Sequence, residues 1–308
     1  MNKNNKNNGK QKNLPLYVKA KYVLVRTGLI CLIKTIGLDG LYYFGQFFGI
    51  CEYLLQYKKR ARIYRRLQQI YSHPIAASEA RKIARQYFTR TRCDKMLYTI
   101  IDKIDRKELL SRFHIEGKQY IDESIKRGQG TFLMFSHQGS HHLAGIFLIL
   151  SGYRIIGLRD PNESPLRIYV QQQFEKNFPE FRDLQITPND SFARTFFHAF
   201  KDNQIVAAAM DIWRQRENIR SVQVEIFGQK RDFLSGMTNI ALRSHSAILV
   251  GFVLSLPKFR YCVIFHPWLN NPDKDTDSPE TVQKVMQKYA NLIEQHVKKY
   301  PDHISKTK

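Results

Sequence analysis

Three histidines fall within six positions, His137, His141 and His142, in the run Phe135-Ser136-His137-Gln138-Gly139-Ser140-His141-His142. The apolar stretch Thr131-Phe132-Leu133-Met134 precedes them and an apolar segment from Leu143 to Leu150 follows. That order reads as a strand, a tight turn and the start of a helix. A rigid strand aims side chains at such a junction, and the first turn of a helix offers backbone donors. Three chemistries are open. His137 and His141 have the i, i+4 spacing of a zinc pair, but the central Glu of His-Glu-x-x-His is absent and no third ligand stands nearby, so no metal is expected. The rings can instead satisfy backbone groups at the junction as plain structure. Or His137 is a general base that takes a proton from a hydroxyl near neutral pH, and its other ring nitrogen then needs an acceptor to fix the tautomer. Residues four apart share a helix face, whereas residues five apart are splayed by about 140°. His142 can therefore approach His137 only if His137 sits just before the first turn.

The surrounding elements must hold that turn. Phe113 to Gly117 reads as a short strand, Tyr120 to Lys126 as a helix, and Gly128-Gln129-Gly130 as a helix stop leading into the strand Thr131–Ser136. Further strands are expected at Tyr153–Leu158, Ile205–Met210, Val222–Phe227, Ile248–Val253 and Tyr261–Phe265. Ile205–Met210 is continuously apolar, as befits a strand buried on both faces. Helical periodicity marks Ala76–Arg92, Lys95–Ile104, Phe192–Phe200 (with Ser191 as its cap), Ile240–Ser244 and Pro279–Lys299. Strands alternating with helices predict an α/β fold with a mixed, largely parallel sheet flanked by helices. Asp211 follows a buried strand, at the edge where ligands collect in open α/β sheets. Arg159 follows another strand and suits a cationic clamp for a phosphate or an oxyanion.

The 308 residues suffice for one large α/β domain or two small ones. Lys and Arg number 49 against 27 acidic residues, a net charge of +22 that must face something anionic. The 20 Phe and 16 Tyr exclude a disordered basic tail. No nucleic-acid module is recognisable, so a nucleic-acid partner is not expected. Cys31, Cys51, Cys93 and Cys262 lie far apart and suggest neither disulfides nor a thiolate zinc site. Residues 1–13 read as a disordered leader without a cleavable signal, residues 14–112 as a helical, membrane-associating region, and residues 113–308 as the α/β core with its closing helix. Between Leu14 and Tyr57 the chain is rich in Leu, Ile, Tyr and Phe, but Lys19, Lys21, Arg26, Lys34, Asp39 and Glu52 interrupt it. A spanning helix wants roughly 18 or more apolar residues in a row. Interfacial helices or a short embedded hairpin fit better, with the basic run Lys58-Lys59-Arg60-Ala61-Arg62-Ile63-Tyr64-Arg65-Arg66 against anionic headgroups.

The order of motifs resembles the bacterial lipid A biosynthesis acyltransferase family, lauroyl/myristoyl type, within the glycerolipid acyltransferase superfamily. That family's Gly-x-Gly, apolar strand and His-x-Gly-Asn-Trp-Glu are similar to Gly128-Gln129-Gly130, Thr131–Ser136 and His137-Gln138-Gly139-Ser140-His141-His142. Its Arg-Pro…Asn block resembles Arg159-Asp160-Pro161-Asn162, and its strand ending in Asp-Gln resembles Ala207-Ala208-Ala209-Met210-Asp211-Ile212. Its Phe-Phe-Gly, small-residue turn and Leu-Ala resemble Ile226-Phe227-Gly228, Ser235-Gly236 and Ala241-Leu242, and its closing Tyr-Pro resembles Tyr300-Pro301. The resemblance runs from about Leu14 to Pro301. It implies a glycerolipid-acyltransferase-like core and acyl transfer from an acyl carrier protein or acyl-CoA thioester to a hydroxyl of a membrane glycolipid. The setting it implies is the cytoplasmic face of a bacterial inner membrane, peripheral or N-terminally anchored, with no cofactor. His137 takes the base position, with Gly139, Ser140, His141 and Arg159 expected to meet substrate. The pattern departs at His142, where the family has Glu or Asp. A neutral His142 can accept a hydrogen bond from His137 but brings no negative charge. The orienter is then His142 or a distant acid such as Asp211. A chain that merely binds lipid or carrier protein, or one that transfers another carrier-bound group, is the alternative.

Overall fold

The structure, a computed structural model, describes residues 14–71, 74–158, 164–181, 185–186, 192–211 and 220–304. Three helices come first: α1 (Leu16–Leu55), α2 (Tyr57–Ile70) and α3 (Ala77–Ile100). Gly37 breaks α1 with φ 67° and ψ −178°, a conformation that a residue without Cβ adopts at little cost. The two helices expected over 76–104 are one continuous helix and a 3-10 turn at Ile101–Lys103, because Thr91–Asp94 carry no breaker. Then follow α4 (Arg106–Ser111), β1 (Phe113–Glu116), α5 (Lys118–Lys126), β2 (Thr131–Phe135), α6 (His141–Leu150) and β3 (Ile155–Leu158). Next come α7 (Pro165–Asn177), β4 (Gln185–Ile186), α8 (Phe192–Lys201) and β5 (Ile205–Ala209). The chain finishes with β6 (Ser221–Ile226), β7 (Gln229–Leu234), α9 (Gly236–Arg243), β8 (Ala247–Leu256), β9 (Arg260–Phe265) and α10 (Pro279–Lys299). Ser191, the expected cap of α8, lies outside the described residues.

Among the described residues, seven strands form one sheet in the order β1-β9-β8-β2-β5-β3-β4, and β6–β7 is a separate hairpin. Every neighbouring pair in the sheet is parallel except β8–β9. Central β2 is buried along its whole length, which is why it reads as an unbroken apolar run. Its side chains feed two cores. Phe132 and Met134 join Val206, Ile248, Val250 and the inner faces of α2, α8, α9 and α10. Leu133 and Phe135 join Leu249, Val263 and the inner faces of α1, α4, α5, α6 and α7.

Three of the charges that interrupt α1, Arg26, Asp39 and Glu52, tie it to the rest of the molecule. Arg26 forms a buried two-pronged pair with Asp102 at 2.8 and 2.7 Å, and Asn177 of α7 donates to the same carboxylate at 2.7 Å. Asp39 accepts from Arg112 at 2.9 Å, and Glu52 pairs with Arg92. The opposite side of α1 stays bare: Leu16, Leu24, Tyr43, Phe47, Leu54 and Leu55 are each at least 60% exposed. No described helix is long and apolar enough to cross a membrane.

On α10, His296 stacks on Phe252 with ring centroids 4.2 Å apart, and its Nε2 has no hydrogen-bond partner among the described residues. Burial first, and then the charge of His303, push its pKa down to about 3. An unfolded chain binds a proton at His296 below about pH 6.5 while the folded chain does not, so stability falls as the pH drops from there toward 3. The loss from this residue reaches on the order of 2 kcal/mol by pH 5. Melting temperatures measured between pH 7 and 5 are expected to fall, and to fall less in His296→Phe, which keeps the stack. An unchanged pH dependence in that variant contradicts the assignment.

Candidate active site

The β2–β5 register builds the site. Phe135 pairs with Ala209, so His137 and Asp211, each two residues further along, emerge side by side at the carboxyl edge of the sheet. The Asp211 carboxylate accepts the backbone N–H of His137 at 2.9 Å and approaches ring Nδ1 at 2.6 Å. The Asp211 side chain is 8% exposed and that of His137 is 32% exposed, so the carboxylate is shielded while the ring reaches solvent. With its proton on Nδ1 and donated to Asp211, the ring keeps the Nε2 lone pair free to take a proton. Tyr289 of α10 donates to the carbonyl of Phe135 at 2.7 Å and fixes the last residue of β2. Burial, with the Asp211 charge in support, raises the Tyr289 pKa well above its usual value, so it remains a donor.

His142 is placed elsewhere. Arg167 of α7 lies against both its ring nitrogens, at 2.6 Å from Nδ1. Crowding by burial first, then the charges of His141 and Arg167, hold His142 well below its ordinary pKa. The residue keeps an exposed side, and solvent there tempers the burial effect. The contact with Arg167, a pure donor that needs a ring lone pair, is the stronger reason for a neutral ring. The His141 ring stands 3.7 Å from that of His142 and 5.1 Å from that of His137. Burial, followed by the charges of His137 and Arg167, keeps His141 neutral too. The structure therefore brings His137 together with Asp211 and turns His142 toward α7. Among the described residues no third ligand joins His137 and His141; the trio His114, Glu116 and Cys262, with ligand atoms within 4.8 Å of one another, stands at the β1–β9 edge.

The other expected site residues have mixed placements. Gly139 has φ +59° and donates its N–H to the His303 carbonyl at 2.7 Å. Ser140 gives its hydroxyl to Asp94 of α3 instead of capping α6. Arg159 lies outside the described residues. Sequence reasoning missed Arg167, Asp94 and His303. Of these, Asp94 left a trace, as a carboxylate beside Cys93, Met96 and Leu97 on the apolar face of α3. Arg66, read as part of the headgroup-binding run, is half-buried; burial and then Arg231 of β7 lower its pKa to about 10, while the charge of Asp211 opposes them. Two buried atoms of the turn, Gln138 Oε1 and His141 Nδ1, have no hydrogen-bond partner among the described residues.

A parallel sheet that sets a histidine–carboxylate pair at its carboxyl edge, on a glycine turn before a helix, fits the site of a group-transfer enzyme with a general base. The sequence profile of the bacterial lipid A biosynthesis acyltransferase family matches residues 10–303, and the chain belongs to that family. Membership places it among the acyltransferases of lipid A, and so of lipopolysaccharide, biosynthesis. A search of curated proteins finds no match to the chain.

A Cβ at Gly139 would come 2.6 Å from the Val253 carbonyl oxygen, and the backbone there is left-handed. Gly139→Ala is expected to cost about 1–3 kcal/mol in stability, measured by denaturant unfolding, and to displace the turn. A variant with parental stability contradicts the placement of this turn.

Proposed function

We propose that the chain moves an acyl chain from an acyl carrier protein or acyl-CoA thioester to a hydroxyl of a lipid A-type glycolipid. His137 is the general base and Asp211, in place of a carboxylate at position 142, is its orienter. The observation that carries this reading is the 2.6 Å contact between Asp211 and His137 Nδ1, which leaves Nε2 as the proton acceptor. His137 Nε2 removes the proton of the acceptor hydroxyl as its oxygen attacks the thioester carbonyl. The tetrahedral intermediate then collapses, the C–S bond breaks, and the imidazolium returns the proton to the departing thiolate. Asp211 stabilises the imidazolium in between. The unpartnered Gln138 Oε1 and His141 Nδ1 supply polar contacts for a ligand in the turn. Arg66 and Arg231 add positive charge on the Asp211 side, suited to a phosphate-bearing substrate.

The N-terminal region supports a membrane setting. Exposed Phe47, Leu54, Leu55 and Tyr57 lead directly into α2, where Lys58, Arg62 and Arg65 are exposed. An apolar tip with a basic collar suits an interface with anionic lipid, at about 1 kcal/mol per basic residue near the surface. The chain would lie on the cytoplasmic face of a bacterial inner membrane, with residues 14–112 as its membrane-associating region. Transfer of a labelled acyl chain from carrier-protein thioester to a lipid A precursor tests the reading. His137→Ala is expected to abolish transfer, and Asp211→Asn to lower kcat by about 10²–10⁴ through the wrong tautomer. Transfer that survives His137→Ala sinks the mechanism. A parent chain that binds acceptor without turnover would instead be a non-catalytic relative.

A further inference from the structure

The contacts that hold the histidine turn from behind converge on one buried carboxylate. Asp94, 7% exposed in α3, accepts on Oδ1 from the Tyr261 hydroxyl at 2.9 Å. Its Oδ2 accepts from Arg90 at 3.1 Å, from Ser255 Oγ at 2.9 Å and from Ser140 Oγ. Those donors come from α3 itself, from β8 and β9, and from the turn between His137 and α6. A buried carboxylate is costly unless its lone pairs are satisfied, and four donors satisfy this one.

Ser140 is the informative member. A serine at the first boundary of a helix ordinarily caps it, at a gain of about 1 kcal/mol. Here its hydroxyl is diverted to Asp94, and no described side chain caps α6. The diversion therefore serves the position of the turn and not the stability of the helix.

A second path closes the same ring. Arg90 donates from Nη2 to the Asp302 carbonyl at 2.6 Å and from Nε to the Asp302 carboxylate at 3.2 Å. His303 receives the Ser255 N–H on Nε2 at 3.0 Å, and its Nδ1 lies 3.1 Å from Asp302 Oδ1. Its own carbonyl takes the Gly139 N–H. Helix α3, strand β8 and the chain end after α10 thus grip Gly139 and Ser140, the residues directly following His137-Gln138.

We propose that Asp94 is a positioning residue for the reaction, locking the His137 turn through Ser140 so that the ring stays over Asp211. Asp94 does not touch substrate; it acts through the turn. Its catalytic effect rests on the acyl-transfer reading, whereas its hold on the turn does not.

Amide hydrogen exchange and transfer kinetics on the full chain test the two parts. Asp94→Asn is expected to speed exchange in peptides spanning 136–143 selectively. It should lower kcat at least about tenfold with KM for the acyl donor within about twofold, as a misplaced base does. Ser140→Ala reads the same contact from the other side and serves if Asp94→Asn does not fold. Combining the two should add less than twofold, because both remove one interaction. Tyr261→Phe, which removes only a donor to Oδ1, should leave that exchange at the parental level. Parental exchange in both Asp94→Asn and Ser140→Ala overturns the proposal. So does exchange that rises evenly over the chain, which marks general destabilisation. Should the parent transfer no acyl group, the acyl-transfer reading fails and the exchange results still decide the lock.

Discussion

The parallel pairing of β2 with β5 is the constraint from which the site follows. Because Phe135 is opposite Ala209, the chain delivers His137 and Asp211 to adjacent points where the two strands end. The carboxylate then binds the same residue twice, at backbone N–H and at ring Nδ1, fixing where the ring starts and which way it points. A one-residue slip would send one of the two side chains to the other face. Burial of both faces of β2 penalises such a slip, since Phe132 and Met134 would trade places with Leu133 and Phe135 between the two cores.

The turn beyond His137 has little structure of its own, so other elements hold it. Gly139 permits the left-handed turn and the close approach to Val253. Tyr289 holds the residue before the turn, Asp94 the serine after it, and His303 the glycine within it. These supports come from α3 and from α10 with the residues just after it, all distant in sequence from the turn. With Asp211 at Nδ1 of His137, His142 instead faces Arg167 as a neutral acceptor. The position that carries a negative charge in the motif this sequence resembles here lies beside a positive one, so the site is more electropositive than the motif implies.

Much of this was legible in the sequence where local patterns decide structure. Pro279–Lys299 reads as a helix because its apolar positions recur at helical spacing. The β6–β7 hairpin follows from alternation ending at Gly228. Asp211 was one of two candidate orienters; nothing local distinguishes it from His142, because the choice depends on which strand lies beside β2. Arg26, Asp39 and Glu52 read as interruptions of an apolar run, and their partners Asp102, Arg112 and Arg92 show why they are there. Arg66 reads as part of a headgroup-binding basic run, yet the helical turn of α2 sets it between Ile63 and Leu67, beside the buried face. Asp94 and His303 act across more than 45 residues of chain on the turn, and no spacing rule connects them to it.

By its contact at Nδ1, Asp211, and not residue 142, decides which ring nitrogen of His137 carries the proton. Nitrogen NMR of the histidine-labelled chain near pH 8, with the His137 signals assigned by their loss in His137→Gln, reads this directly. A protonated Nδ1 and a bare Nε2 on His137 are expected. A proton on Nε2, with Nδ1 bare, would contradict this role of Asp211.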